Sequence, residues 1–444
     1  SRSRFDHGYI FLQPDHPYAI SGDNMTGNIY IDLKQPYPAT SLDIEIKGEE
    51  KCRWRERKTR TERRNGKSHT HTYYIHHHGS RMVIHQRFTI YVFPNGAAMP
   101  GQYTFPFNVA LPYGCPSSAF FSGSESAVAS IKYTIKAVLQ PNVSVNIQEM
   151  KFKQTLIVRE RPPAVNENLT SSISMKINSC CCCCSKGSSS LQTSFEKDAY
   201  TSHEVCRATC NINNACSIPV QRIRICVKQF VMLTAYSSVY RRNFKKGEKN
   251  FDGVEPRTET EGFTRYLDIP LSELKGKVDA HQFTDFTPLD GADMYLAEAI
   301  QPTTNGLHLN ITYKLSVKLC YDTYCATEPE CSTPLFIQAP ELQNFQMIQA
   351  PENWSPTTYD EVNFALPVPR NELMQQEPIE MGADYNPQQM GVPAPFPQPQ
   401  MEADMYMPAP IPTAGPQLAP VPMGHPIQPT DQQPLIGRQN EGNW

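Results

Sequence analysis

The sequence predicts an all-β protein built from two tandem β-sandwich domains followed by a proline-rich tail. Apolar and polar residues alternate along most patterned segments, helical periodicity is nearly absent, and matching strand patterns recur about 180 residues apart. The chain has 444 residues, 39% of them hydrophobic and 10% aromatic, which suffices for more than one packed core. These features exclude a chain that is disordered throughout.

The longest alternating segment runs from Leu307 to Leu319, with an apolar residue at every second position. This pattern predicts a long antiparallel strand with one buried face and one face in water. Further segments with this alternation are 29–33, 42–46 and 131–139. The segment 271–276 is the best candidate for a helical turn. A sandwich is therefore favoured over a barrel.

An internal repeat is visible in the spacing of these patterns. The alternating segments around Tyr133 and Tyr313 match at an offset of 180 positions. Tyr18 and Tyr200, each of which precedes a strand pattern, are 182 positions apart. Two landmarks with nearly the same offset predict two copies of one sandwich. We therefore expect Tyr133 and Tyr313 to lie on equivalent strands.

Pro162 and Pro163 mark the expected join, because proline cannot donate a hydrogen bond to a sheet and favours an extended linker. The predicted divisions are an N-terminal domain at 5–160, a linker at 161–173, a C-terminal domain at 174–340 and a tail at 341–444. That tail contains 12 acidic residues, two arginines, no lysine and 19 of the 39 prolines, a net charge of −10 against +7 for the first 340 residues. A segment with this many prolines and charges buries too little apolar surface to offset the entropy of its chain. We therefore expect the tail to be disordered.

The composition also bears on the cellular compartment. No run of about 18 apolar residues occurs, so no transmembrane helix is expected. The first residues carry charges and lack the apolar segment of a secretory signal. We therefore expect a cytoplasmic protein whose 14 cysteines are reduced thiols.

Three segments of the first half are distinctive: SLDIEIKGEEKCRW at 41–54, PGQYTFPFNVALPYGCPSSAF at 100–120 and ASIKYTIKAVL at 129–139. They resemble the N-terminal domain of the alpha-arrestin (arrestin domain-containing) family. In the second half, the segment from Tyr200 to Gln229 and the strand LHLNITYKLSVKL are similar to the C-terminal arrestin domain. The resemblance covers about residues 5–340 and is most specific at 100–139.

This resemblance implies two arrestin-type, immunoglobulin-like β-sandwiches and a non-catalytic adaptor or scaffold in membrane-protein trafficking, protein transport and endocytosis. The implied partners are cytoplasmic tails of membrane proteins, acidic or phosphorylated peptides, and ubiquitin-ligase or clathrin-adaptor machinery. The implied location is the cytoplasm, with peripheral contact to the plasma membrane or endosomes. The alternative is a structural subunit of a cytoskeletal or ciliary assembly, which would stay with that assembly through a salt wash.

The residues themselves argue against an enzyme. The sequence contains no complete set of nucleophile and base, of metal ligands or of phosphate-binding loop residues, so we expect no catalytic residue and no cofactor. Six histidines at 69–85 include pairs that share a strand face, but no cysteine or carboxylate at matching spacing completes a metal site. A polar strand returning from a hairpin accounts for these histidines.

The first candidate site is a run of nine cations within 51–67. Our candidate surface for anions or partners consists of Arg53, Arg55, Arg57, Lys58, Arg60, Arg63 and Arg64. The dipeptide Asn65-Gly66 predicts a hairpin whose two faces both present cations to carboxylates, phosphates or anionic lipid. A solvated hairpin that protects a sheet edge explains the charges equally well. No recognition motif for nucleic acid accompanies the run, so we expect no nucleic-acid partner.

The second candidate site is a run of five cysteines: Cys180, Cys181, Cys182, Cys183 and Cys184. Adjacent cysteines alternate between the faces of a strand, so one zinc ion cannot bind them all. S-palmitoylation is the functional hypothesis. Each buried CH₂ group contributes about 0.8 kcal/mol, so two or more acyl chains would hold the protein on a membrane.

The tail contains a third candidate, the motif residues Pro356, Tyr359 and Val362. Pro356 and Tyr359 match the ends of the Pro-Pro-x-Tyr motif through which alpha-arrestins typically bind ubiquitin-ligase WW domains, but Thr357 replaces the second proline. Tyr359 and Val362 also fit the Tyr-x-x-apolar pattern of clathrin-adaptor ligands. A solvated linker is the alternative for this segment.

Overall fold

Antiparallel strands form nearly all of the regular structure. The computed structural model describes residues 4–64, 67–179, 184–259, 265–276, 278–322, 328–341, 347 and 349–369. Within these ranges two sandwiches follow one another along the chain, each made of strands in two main sheets. The predicted all-β class with two tandem sandwiches is confirmed.

The described part of the first sandwich contains ten strands. They are β1 (Gly8–Pro14), β2 (Ala19–Ile20), β3 (Asn24–Leu33), β4 (Ala39–Arg64), β5 (Lys67–Val92), β6 (Gly101–Ala110), β7 (Ala119–Ser122), β8 (Val128–Pro141), β9 (Met150–Leu156) and β10 (Val158–Arg159). One sheet has the order β1-β3-β6, and the other has the order β5-β4-β8-β7 with β9 also on β8. The short β10 pairs in parallel with β2, so the end of this sandwich returns to its beginning.

The described part of the second sandwich contains eleven strands. They are β11 (Glu167–Ser179), β12 (Cys184–Lys197), β13 (Ala199–Thr201), β14 (Val205–Asn214), β15 (Val220–Ala235), β16 (Ser238–Val254), β17 (Thr258–Glu259), β18 (Arg265–Pro270), β19 (Thr304–Asn305), β20 (Leu309–Cys320) and β21 (Glu330–Gln338). One sheet has the order β11-β12-β14, with β17 and β18 both on β14. The other has the order β13-β21-β20-β15-β16, with β19 on β20.

The repeat predicted from spacing is present in the sheet order. The first sandwich contains β5-β4-β8-β9, and the second contains the corresponding order β16-β15-β20-β21. Tyr133 lies in β8 and Tyr313 lies in β20, which occupy the same place in these orders. Both rings are buried, and both hydroxyls donate to a backbone carbonyl, of Pro116 at 2.8 Å and of Gln301 at 2.6 Å. The two tyrosines are therefore structurally equivalent, as expected.

The connection between the sandwiches is shorter than the predicted linker. Strand β11 already begins at Glu167 and pairs with β12, so residues 167–173 belong to a sheet. The apolar side chains of Leu169 and Ile173 explain this, because they pack against the core from alternate positions of the strand. Pro162 and Pro163 lie in the unpaired segment between β10 and β11, where no sheet hydrogen bond is required of them.

A long segment between β18 and β19 packs against the first sandwich. The predicted helical turn at 271–276 forms a 3-10 helix over Leu271–Glu273, and a second 3-10 helix spans Ala280–Phe283. Helix α1 (Gly291–Glu298) is absent from the sequence-based expectations, because eight residues are too few to show clear helical periodicity. The Asp290 side chain caps its first turn by accepting hydrogen bonds from the N–H groups of Ala292 and Asp293. Phe283 belongs to a small core with Phe120 of β7, so this segment joins the two sandwiches.

A buried ion pair also joins them. Glu50 of β4 and Arg81 of β5 are 0% and 4% exposed, and the Arg81 Nε lies 2.6 Å from the Glu50 carboxylate. The same carboxylate accepts hydrogen bonds from the backbone N–H groups of Leu307, His308 and Leu309, at 2.7 to 3.1 Å. A buried carboxylate needs such partners to offset its desolvation. The pair therefore fixes β4 and β5 against the second sandwich.

Part of the predicted disordered tail instead forms strands on the first sandwich. Strands β22 (Thr357–Thr358) and β23 (Val362–Ala365) pair in parallel with β6. Pro106 of β6 lies between the two paired stretches, where its missing N–H interrupts the ladder. The aromatic side chains of this segment supply an apolar surface that the average composition of the tail does not reveal. The predicted boundary at 341 therefore does not mark the end of the folded chain.

Candidate anion-binding ribbon and docked tail

Strands β4 and β5 extend beyond the sheet as a two-stranded ribbon. Their pairing continues without interruption from Glu49 opposite Met82 to Arg64 opposite Lys67. The neighbouring strand β8 pairs with β4 only as far as Arg53, so beyond that residue β4 and β5 form a two-stranded hairpin. Polar residues on both faces explain why no second sheet covers it. The predicted turn residues, Asn65 and Gly66, lie outside the described residues.

The base of the ribbon is held by the second sandwich. Trp54 is 4% exposed, stacks on His77 at 4.9 Å between ring centroids, and lies 6.2 Å from the ring of Tyr240. The Arg53 guanidinium donates to the backbone carbonyl of Gln282 at 3.2 Å and lies 5.2 Å from the centroid of the Phe286 ring. Arg53 is therefore committed to an internal contact, which sequence reasoning did not anticipate.

Beyond the base, one face of the ribbon carries arginines. We call it the arginine face; by register it consists of Arg53, Arg55, Arg57, Thr59, Thr61 and Arg63, and of Ser68, Thr70, Thr72, Tyr74, His76 and His78 opposite them. The Arg55 guanidinium lies 5.3 Å from the centroid of the Tyr74 ring. Arg55, Arg57 and Arg63 are exposed, and no carboxylate of the described residues forms an ion pair with them.

On the opposite face, cations have acidic neighbours. We call it the paired face; it consists of Trp54, Glu56, Lys58, Arg60 and Glu62, and of Lys67, His69, His71, Tyr73, Ile75 and His77 opposite. Lys58 lies 3.4 Å from Glu56, and Arg60 lies 3.2 Å from Glu62. A hydrogen bond with His77 at 3.0 Å, aided by the charge of Lys58, lowers the pKa of Glu56. Arg64 ends β4, and its side chain lies outside the described residues.

The histidines of the ribbon do not converge on one point. Register places His76 and His78 on the arginine face and His69 and His71 on the paired face, while His85 contacts Glu45 at 3.1 Å. Within the residues that the structure describes, no group of three metal-ligating side chains is found.

The cysteine run falls between two paired strands. Cys180, Cys181, Cys182 and Cys183 lie outside the described residues, whereas Cys184 begins β12 opposite Ser179. Eight other cysteines are free and buried: Cys52, Cys115, Cys206, Cys210, Cys216, Cys226, Cys320 and Cys331. Burial raises the pKa of Cys52 to about 12, so this thiol stays protonated and unreactive at neutral pH.

The tail motif is engaged in the structure. The Tyr359 ring stacks on Phe105 of β6 at 4.5 Å with an interplanar angle of 7°, and it lies 4.7 Å from Tyr91. Burial and the hydrogen bond with Tyr91 raise the pKa of Tyr359 to about 12. Val362 opens β23, and Phe364 stacks on Phe88 at 4.4 Å.

This docking has a signal in the sequence. Val362, Phe364 and Leu366 alternate with polar or small residues, which is the period of a strand, and Leu366 is buried. The average composition of the tail does not show this pattern, because prolines and acidic residues surround it. Pro356 is half-buried just before β22.

Comparisons with known proteins agree with this architecture. Residues 9–160 match the family model of the arrestin (or S-antigen) N-terminal domain, and residues 185–342 match that of the arrestin (or S-antigen) C-terminal domain. Arrestin domain-containing protein A of Dictyostelium discoideum is 25% identical over 258 residues, which cover 56% of this chain and 42% of that relative. The chain thus spans less than half of this relative's length.

The described residues contain no helix that is long and apolar enough to cross a membrane. Proteins of the matched family are in general adaptors without catalysis. Two domain models in tandem, on two sandwiches whose strand order repeats, show that the chain belongs to the arrestin family and is an arrestin-like protein.

Proposed function

We propose that this protein is a non-catalytic adaptor in membrane-protein trafficking that binds acidic or phosphorylated cytoplasmic segments of its cargo through the ribbon of β4 and β5. The observation that carries the proposal is the projection of exposed arginines, including Arg55, Arg57 and Arg63, beyond the sheet. Guanidinium groups match carboxylate and phosphate geometry in bidentate pairs. Beyond Trp54, the described residues of the ribbon do not belong to the buried cores, so the charges there are available to a partner.

The expected affinity of the ribbon alone is modest. An exposed ion pair contributes about 0.2 to 1 kcal/mol, so several together favour encounter and orientation more than tight binding. Binding should weaken with salt, because the Debye length falls from about 10 Å at 0.1 M to about 3 Å at 1 M. Contacts elsewhere on the sandwiches would then supply the rest of the affinity for a folded cargo.

We further propose that the tail recruits trafficking machinery through Tyr359 and Val362. The Tyr359 ring is stacked on Phe105, so an adaptor that takes this tyrosine into its own pocket competes with β6. Docking and recruitment are mutually exclusive in this arrangement. Since no intact Pro-Pro-x-Tyr sequence exists, clathrin-adaptor proteins are preferred over WW-domain ligases as partners for this motif.

Acylation of the cysteine run is the proposed route to peripheral membrane contact. Its flanking strands place Ser179 opposite Cys184, at one end of the sheet that contains β11 and β12. Replacing Cys180 to Cys184 by serine should move the protein from the membrane to the soluble fraction and abolish hydroxylamine-sensitive labelling. Unmodified cysteines in the native protein would contradict this part of the proposal.

The ribbon proposal is tested by charge removal. A variant with glutamine at Arg55, Arg57, Lys58, Arg60 and Arg63 keeps Arg53, which has an internal contact. We expect it to bind an acidic peptide more weakly than the native protein at low salt, and the difference to shrink at high salt. An unchanged melting temperature is the control for folding. If the native protein and the variant bound the peptide equally well at both salt concentrations, the proposal would be wrong and the ribbon would be only a solvated sheet edge.

A further inference from the structure

The two faces of the ribbon differ in charge, although cations follow one another along both. The arginine face carries four cations and, within its described residues, no carboxylate, a net charge of +4. The described side chains of the paired face include three cations and two carboxylates, a net charge of +1: Lys58, Arg60, Lys67, Glu56 and Glu62. An approaching anion therefore meets repulsion from acidic groups on one face and not on the other.

We propose, building on the function proposed above, that the arginine face is the anion-binding surface of the ribbon and takes an extended acidic peptide with a negative charge at every second residue. Alternate residues of a strand are about 6.6 to 6.8 Å apart and point to one side. Arg55 and Arg57 therefore repeat at the interval at which an extended peptide presents alternate side chains. From Arg55 to Arg63 the row measures about 26 Å, the length of about eight extended residues.

Three contacts organise this row. Arg55 is positioned by the ring of Tyr74, which lies diagonally across the ribbon, so less rotamer entropy is lost when it binds an anion. The Oγ1 atoms of Thr61 and Thr70 lie 3.2 Å apart, in hydrogen-bond contact across the strands. Arg53 bounds the row at its inner end, because its guanidinium is held by the Gln282 carbonyl.

The width of the row favours a single peptide chain over a membrane surface. Paired strands lie about 4.8 Å apart, and the positions across from the arginines hold hydroxyls, a phenol and imidazoles rather than further cations. The cations thus form one line, which matches the line of carboxylates or phosphates on an extended peptide. A bilayer is a plane of charge and has no such line.

Two matched variants test the assignment in the full-length protein. The first is Arg55→Gln/Arg57→Gln/Arg63→Gln on the arginine face, and the second is Lys58→Gln/Arg60→Gln/Lys67→Gln on the paired face. Each removes three positive charges from the same hairpin, so the change in net charge is identical; all six positions are exposed except Lys58, which is half-buried.

The probes are a labelled peptide with phosphoserine or glutamate at every second position, an isomer with the same residues in one block, and vesicles of neutral lipid with phosphatidylserine. We expect the arginine-face variant to lose about tenfold in affinity for the alternating peptide, and the paired-face variant less than about threefold. The block isomer should bind the native protein more weakly than the alternating peptide. Arginine-to-lysine substitution at the same three positions should restore part of the loss, since charge is kept.

Each other outcome has a separate meaning. Equal losses in both variants would overturn the face assignment but leave the anion-binding function of the ribbon standing. No loss in either variant would overturn that function as well. A loss confined to vesicle binding, with the peptide unaffected, would overturn the peptide as occupant in favour of a membrane.

Discussion

Replacing Tyr359 by alanine should release the tail from β6. The Tyr359 ring stacks on Phe105 and is half-buried. An aromatic pair contributes about 1 kcal/mol beyond its buried area, and half-burial of the ring contributes about another 1 kcal/mol. The substitution should therefore shift the docking equilibrium by about 2 kcal/mol, or roughly thirtyfold.

Hydrogen–deuterium exchange of the backbone measures this equilibrium directly. The amides of Tyr359 and Leu366 donate to the carbonyls of Thr104 and Ala110, at 3.0 Å each, and should lose protection by that factor when the strand leaves. Asp360→Ala is the matched control, because its side chain is exposed beside the stacked ring. Exchange over 357–366 that is unchanged by Tyr359→Ala would refute the reasoning that aromatic stacking holds the tail.

Two further predictions concern stability and pH. Glu50→Ala leaves the Arg81 guanidinium buried without its carboxylate and removes the acceptor for three backbone N–H groups, so it should destabilise the protein by about 3 to 5 kcal/mol in denaturant unfolding. The double variant with Arg81→Ala should be destabilised by less than the sum of the single variants, and strict additivity would argue against a coupled pair. Docking raises the pKa of Tyr359 from about 10 in the free tail to about 12, so docking is fully favoured below about pH 10 and is lost as pH rises toward 12. In an ultraviolet titration of tyrosinate, Tyr359→Phe should remove one tyrosine from the step near pH 12, to which Tyr321 also contributes. Loss of a tyrosine from the step near pH 10 instead would contradict the predicted shift.

The sequence by itself determined the class of fold and its duplication. Alternating apolar residues around Tyr133 and Tyr313 place every second side chain on one face of a strand, and this alternation is a property of local strand geometry. The cations of the ribbon could also be assigned to alternating faces from the sequence, for the same reason.

The tertiary structure decided which of those residues are available to a partner. Whether Arg53 is exposed depends on Gln282 and Phe286, which lie more than 200 positions away in the chain. Whether the tail is docked depends on the aromatic surface of β6, on which Tyr359 stacks against Phe105. Average composition does not reveal that two rings so far apart in the chain come into contact. The cross-strand neighbours of each charge likewise depend on register, as for Tyr74 beside Arg55, and register is fixed only once the two strands are paired.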